Sequence, residues 1–123
     1  MTLQTRLSQR LMRNTNFLKM QGKDIETKKG INKRALGYFD GFIYSAAKSQ
    51  DIDVKHPYVS AIFIRLFTKL WGEEKGRRYL HCSLEFDDET RIGSEIGAND
   101  FLISSQTGNQ PMGWFACFKQ TGE

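Results

Sequence analysis

The sequence predicts a mostly α fold: a compact single-domain bundle of four to five helices preceded by a basic N-terminal helical arm. Three observations lead there. Apolar residues recur at steps of three and four along most of the chain, the spacing that gathers them on one face of a helix. Only two prolines, Pro57 and Pro111, interrupt the 123 residues, which leaves long stretches free to be helical. Capping residues and glycines then punctuate the periodic segments. The length suits one domain with one core. A hydrophobic content of 39% is too high for a disordered chain.

The arm comes first. Leu3, Leu7, Leu11 and Leu18 form a thin apolar stripe flanked by Arg6, Arg10 and Arg13, with Thr2 as a cap and Gly22 as a stop. Residues 23–31 are polar and read as a linker, so residues 1–30 form an arm and linker and residues 31–123 the helical globular domain. Asn32 is a good N-cap for a helix running to about Gln50, with Ala35, Phe39, Phe42, Ile43, Ala46 and Ala47 on its apolar face. Gly37 and Gly41 lie on one side of it, where a neighbouring helix can approach closely. Pro57 then occupies the first position of the most strongly periodic helix, through Val59, Ile62, Phe63, Leu66, Phe67, Leu70 and Trp71.

A helix beginning at Glu73 places two acids at its positive end. Residues 77–86 are ambiguous: Tyr79, Cys82 and Phe86 have helical spacing, whereas Leu80, Cys82, Leu84 and Phe86 alternate as in a strand. Helix is favoured, since few strand partners exist; the alternative is an α+β fold with a small sheet from 77–86 and 112–119. Asp87, Asp88 and Glu89 read as a cap and acidic first turn of a last long helix. Ile92, Ile96 and Ile103 share a face of it, and Gly93 and Gly97 repeat the four-residue glycine spacing. Gly108 and Pro111 end it. The aromatic tail, with Trp114, Phe115 and Phe118, is expected to dock on the body.

No apolar run is long enough to span a membrane and no signal-peptide core is visible, so a cytoplasmic location is expected, with Cys82 and Cys117 as reduced thiols. The net charge of +4 is polarised. Residues 1–34 carry Arg6, Arg10, Arg13, Lys19, Lys23, Lys28, Lys29, Lys33 and Arg34 against Asp24 and Glu26, net +7, while the remainder is net −3. These nine cations are candidate polyanion-binding residues for nucleic-acid phosphates or an anionic membrane surface. Their structural alternative is a solvated face that packs on the acidic body, or on a second copy.

Chemical motifs are sparse. His56, His81, Cys82 and Cys117 lack any zinc-ligand spacing, and the acidic run at 87–89 lacks the pattern of a calcium loop. No nucleophile elbow or P-loop is present, so neither a catalytic residue nor a cofactor is expected. A cysteine nucleophile paired with His56 or His81 has no sequence support beyond its composition.

The segments Ala35-Leu36-Gly37-Tyr38-Phe39-Asp40-Gly41-Phe42, Trp71-Gly72-Glu73-Glu74-Lys75-Gly76 and Pro111-Met112-Gly113-Trp114 resemble small uncharacterised bacterial proteins, including ones encoded on mobile integron gene cassettes. The resemblance covers residues 31–114 and leaves the arm outside. It implies a compact helical protein of the bacterial cytoplasm, with oligomerisation, and carries over no activity or site residue. The functional expectation is a binding protein that self-associates as a homodimer. The alternatives are a nucleic-acid accessory protein using the arm, and a small-molecule binder or small enzyme. Candidate pocket or interface residues are Tyr38, Gly37, Gly41, Trp71, Gly93, Gly97 and Trp114.

Overall fold

Helix α1, Lys33–Ser49, is the element around which the others are arranged, because its sequence is apolar on almost every side; Ala35 through Ile43, Ala46 and Ala47 are all buried. The computed structural model describes residues 11, 13, 15, 16, 25–27, 30–107, 113, 116 and 117. Three further helices follow α1: α2 (Pro57–Trp71), α3 (Glu73–Leu84) and α4 (Asp88–Thr107). Before them, β1 (Glu26–Thr27) and β2 (Gly30–Ile31) pair antiparallel, Glu26 opposite Ile31. Residues 23–31, expected as a plain linker, thus contain a minimal hairpin. Leu11, Arg13, Thr15 and Asn16 have helical backbone, as do Gly113, Ala116 and Cys117.

Local signals explain the boundaries. Asn32 accepts from the Ala35 amide at 3.1 Å through Oδ1, the N-cap bond expected of it. Its own amide donates to the Ile25 carbonyl (2.7 Å), and its side-chain amide to the Cys117 carbonyl (3.4 Å). One residue, through its backbone amide and its side chain, therefore joins the start of α1 to segments from both ends of the chain. At the far end of α1, Asp51 takes the left-handed position usually given to glycine (φ 57°), and the Ile52 amide donates to the Ala47 carbonyl. Pro57 opens α2, capped by His56 Nδ1, which accepts from the Tyr58 amide at 3.0 Å.

Gly72, at φ 87°, turns α2 directly into α3. Four residues later, a Cβ on Gly76 would stand 2.8 Å from the Phe67 carbonyl oxygen, so α3 folds back on α2 through bare backbone. Residues 77–84 are helical, which excludes the strand alternative there. The buried face of α3 is Gly76, Tyr79 and Ser83, while Phe86 is 48% exposed. Tyr79 holds this face in place: its ring packs on Trp71 and its hydroxyl donates to Glu26 at 2.6 Å.

Helix α4 lies against α1 over most of its length. Gly37 meets the Thr90 carbonyl, Gly41 the Ser94 carbonyl, Gly93 the Arg34 carbonyl and Gly97 the Tyr38 carbonyl, all closer than a Cβ could tolerate. Contact numbers rise together in the two helices, so they run parallel. The buried stripe of α4 is Thr90, Gly93, Gly97, Asp100 and Ser104. The face shared by the isoleucines is not the buried one: Ile92 and Ile96 are half-buried, and Leu102 and Ile103 exposed. Small residues let two backbones touch, and that contact decides which face turns inward.

The core lies between α1 and α2 and includes Phe39, Phe67, Leu36, Ile43, Ile62 and Leu66, joined by Leu11 and Ile25 from the N-terminal region. Each such side chain stabilises the fold by roughly 1.5–3 kcal/mol. Phe39, Phe67, Trp71 and Tyr79 form a chain of edge-on ring contacts at 5.2–5.8 Å. Among the described residues no helix is long and apolar enough to cross a membrane.

Candidate functional site: a buried carboxyl in an apolar pocket

From Ala35 to Ala47 the only charged side chain is Asp40. Helical geometry places Asp40 and Tyr44 one turn apart on α1, next to each other. The same geometry stacks Ser60, Phe63 and Ile64 on α2, and Leu80, Ser83 and Leu84 on α3. These three sets enclose a pocket of about 270 Å³. It adjoins a wider groove of about 540 Å³, also lined by Ile64, Leu80 and Leu84, whose outer wall is Thr68, Glu73, Arg77 and His81.

Asp40 is 5% exposed and forms no hydrogen bond or ion pair with any described residue. Burial alone pushes its carboxyl up to about 7. Burial, and then the Asp40 charge, also raise the Tyr44 phenol. A carboxyl held near neutrality can donate as an acid or accept as a carboxylate, according to what enters. Ser83 donates its hydroxyl to the Leu80 carbonyl (2.8 Å), which leaves its oxygen able to accept. The Tyr44 and Phe63 rings lie 5.2 Å apart, tilted at 57°, and supply aromatic surface at the wall.

The residues singled out from the sequence fall elsewhere. Gly37, Gly41, Gly93 and Gly97 are spent on the α1–α4 contact inside one chain, so they present no open surface. Tyr38 donates to Asp100 Oδ2 at 2.7 Å in that seam, and Trp71 sits half-buried in the aromatic chain on the other side of α1. Neither lines the pocket or the groove. Trp114, Phe115, Phe118, Gly108 and Pro111 lie outside the described residues.

Of the nine candidate polyanion-binding cations, Arg6, Arg10, Lys19, Lys23, Lys28 and Lys29 lie outside the described residues, as do Leu3, Leu7 and Leu18. Arg13 is exposed. Lys33 bridges Glu85 and Asp87, each at 2.8 Å, and Arg34 grips Glu89 with two bonds of 2.7 and 3.1 Å. The parallel helices bring two positive dipole ends side by side, and these carboxylates neutralise them. Asp87 caps α4 by accepting from the Thr90 amide at 3.1 Å; its bond to Lys33 and this cap hold its carboxyl down at about 2. Lys33 and Arg34 are therefore committed to the chain's own acids.

Among the described residues no cluster of three or more His, Cys, Asp or Glu is placed to hold a metal ion. Cys117 is buried, and desolvation pushes its thiol up to about 12, far from the thiolate a nucleophile needs. His56 serves as a helix cap, and His81 is exposed at the groove.

No protein-family model matches the chain, and neither does any curated protein or solved structure. Sequence reasoning missed Asp40 as a site residue. Its signal was present: an acid in an apolar helix with no basic residue three or four positions away, at Leu36, Gly37, Ile43 or Tyr44.

Proposed function

We propose that this protein is a small-ligand-binding protein that uses the pocket between α1, α2 and α3. The observation that supports the reading is Asp40: a buried carboxyl without a partner destabilises the fold unless something repays its desolvation. Retaining such a group at the floor of an apolar pocket makes sense where a ligand completes its bonding. Tyr44, Ser60 and Ser83 add polar points around it, and Phe63, Ile64, Leu80 and Leu84 supply apolar contact, the usual mixture of a ligand site. A fragment library screened by amide and side-chain NMR tests this. Hits should shift Tyr44, Ser60, Leu80 and Ser83 together and be lost in Ser60→Trp, which fills the pocket mouth. Hits that consistently move other residues, or none at all, would reject the pocket.

A second reading, self-association, draws on the pocket rim, where Ile64 is 56% and Leu84 74% exposed. Sedimentation tests it: association should weaken in Leu84→Asp, and a full-length chain that stays monomeric at tens of micromolar would overturn it.

A further inference from the structure

We infer that the ligand of this pocket is a compact organic cation, an amine whose ammonium group pairs with Asp40 and whose apolar body lies against Phe63, Ile64 and Leu80. The inference rests on the ligand-pocket reading and adds the chemistry of the occupant. Three features lead to it. First, among the described residues the pocket lining contains an acid and no basic side chain, so none of them competes for the carboxylate and an anionic ligand would be repelled. Second, a ligand N–H supplies the charge-assisted bond that Asp40 lacks, the strongest single contact available to a buried carboxylate. Third, the Tyr44 and Phe63 rings stand at the same wall, and aromatic faces attract a cation. The volume of about 270 Å³ suits one ring with a short chain, and a longer apolar tail has the adjoining groove to run into.

The pairing also predicts a pH dependence. The ammonium stays protonated through neutral pH, so Asp40 must give up its proton when the amine binds. With burial holding the carboxyl at about 7, the competent fraction falls tenfold per unit below that value, and affinity should weaken about 100-fold from pH 8 to pH 5. Among the described residues, the other titratable groups facing this space are Tyr44 on α1 and, in the groove, Glu73, Arg77 and His81 on α3; the lining holds no titratable group of α2 and no residue of α4.

The test titrates full-length protein with 2-phenylethylamine, 2-phenylethanol and 3-phenylpropanoate, followed by NMR at the pocket residues and by calorimetry. The amine should bind at least about tenfold tighter than the alcohol at pH 8, the tenfold being the gain of one charged hydrogen bond. The carboxylate should bind worst. The pH dependence should vanish in Asp40→Asn and occupancy in Ser60→Trp. Equal or tighter binding of the alcohol or carboxylate at these residues would overturn the cation assignment while leaving a ligand pocket. Failure of all three at the pocket overturns the amine proposal, and the fragment screen then decides the pocket separately. A pH dependence that survives in Asp40→Asn also overturns it.

Discussion

Replacing Asp40 by Asn should remove a large pH dependence of stability between about pH 4 and pH 8. The unfolded chain ionises this carboxyl near 3.8 and the folded protein near 7, because burial disfavours the charge. Below pH 3.8 both states are protonated and the group contributes nothing. Between 3.8 and 7 the folded state binds more protons than the unfolded state, so stability falls as pH rises; above 7 the loss is complete and constant. Each unit is worth about 1.4 kcal/mol, which puts the full penalty near 4 kcal/mol. That figure is a ceiling, since water at the pocket mouth screens part of it. Asn is uncharged and escapes the penalty. Asp87 titrates in the opposite sense: its depressed value gives stability that is lost as pH falls through about 4 toward 2, and it cancels when variant and parent are compared. Urea denaturation followed by circular dichroism at pH 4, 6 and 8 measures the difference. The variant should gain on the parent by up to about 4 kcal/mol from pH 4 to pH 8. A difference that stays level across this range would refute a buried, unpaired carboxyl at position 40.

Three further outcomes are expected. Gly41→Ala should destabilise by about 1–3 kcal/mol in urea, although alanine is the better helix former, because its Cβ would overlap the Ser94 carbonyl; a stabilised variant would disprove the backbone contact. Phe63→Ala should cost about 3–5 kcal/mol in the same assay, since Phe63 is 6% exposed and packs on Tyr44 and Phe67; a loss below ~1 kcal/mol would mean its surroundings collapse or are open. Phe86→Gly should stabilise by about 1 kcal/mol, because Phe86 holds φ at 44° while its ring is half exposed, and a loss on thermal melting would show that the ring packs more than it strains.

Much of the fold was legible in the residues because its signals are local. Asn32, Pro57, Gly72 and Asp87 each satisfy or terminate backbone hydrogen bonding within a few positions, so the bounds of α1 through α4 follow from neighbours in the chain. The face of α2 was equally clear, because its large apolar residues have no other place to go. The hairpin at 26–31 was not, since two-residue strands carry no periodic pattern and depend on Ile25 and Glu26 meeting α1 and α3.

Sequence by itself determined a helical chain, the caps that divide it, and the presence of two glycine pairs suited to close approach. Only the tertiary structure decided that those pairs face each other in parallel, turning Thr90, Gly97 and Ser104 inward and leaving Leu102 and Ile103 outside. It also decided the site. Asp40 reads as one acid among fourteen until α2 and α3 close over it, because the desolvation that makes its carboxyl unusual comes from residues twenty to forty-four positions away.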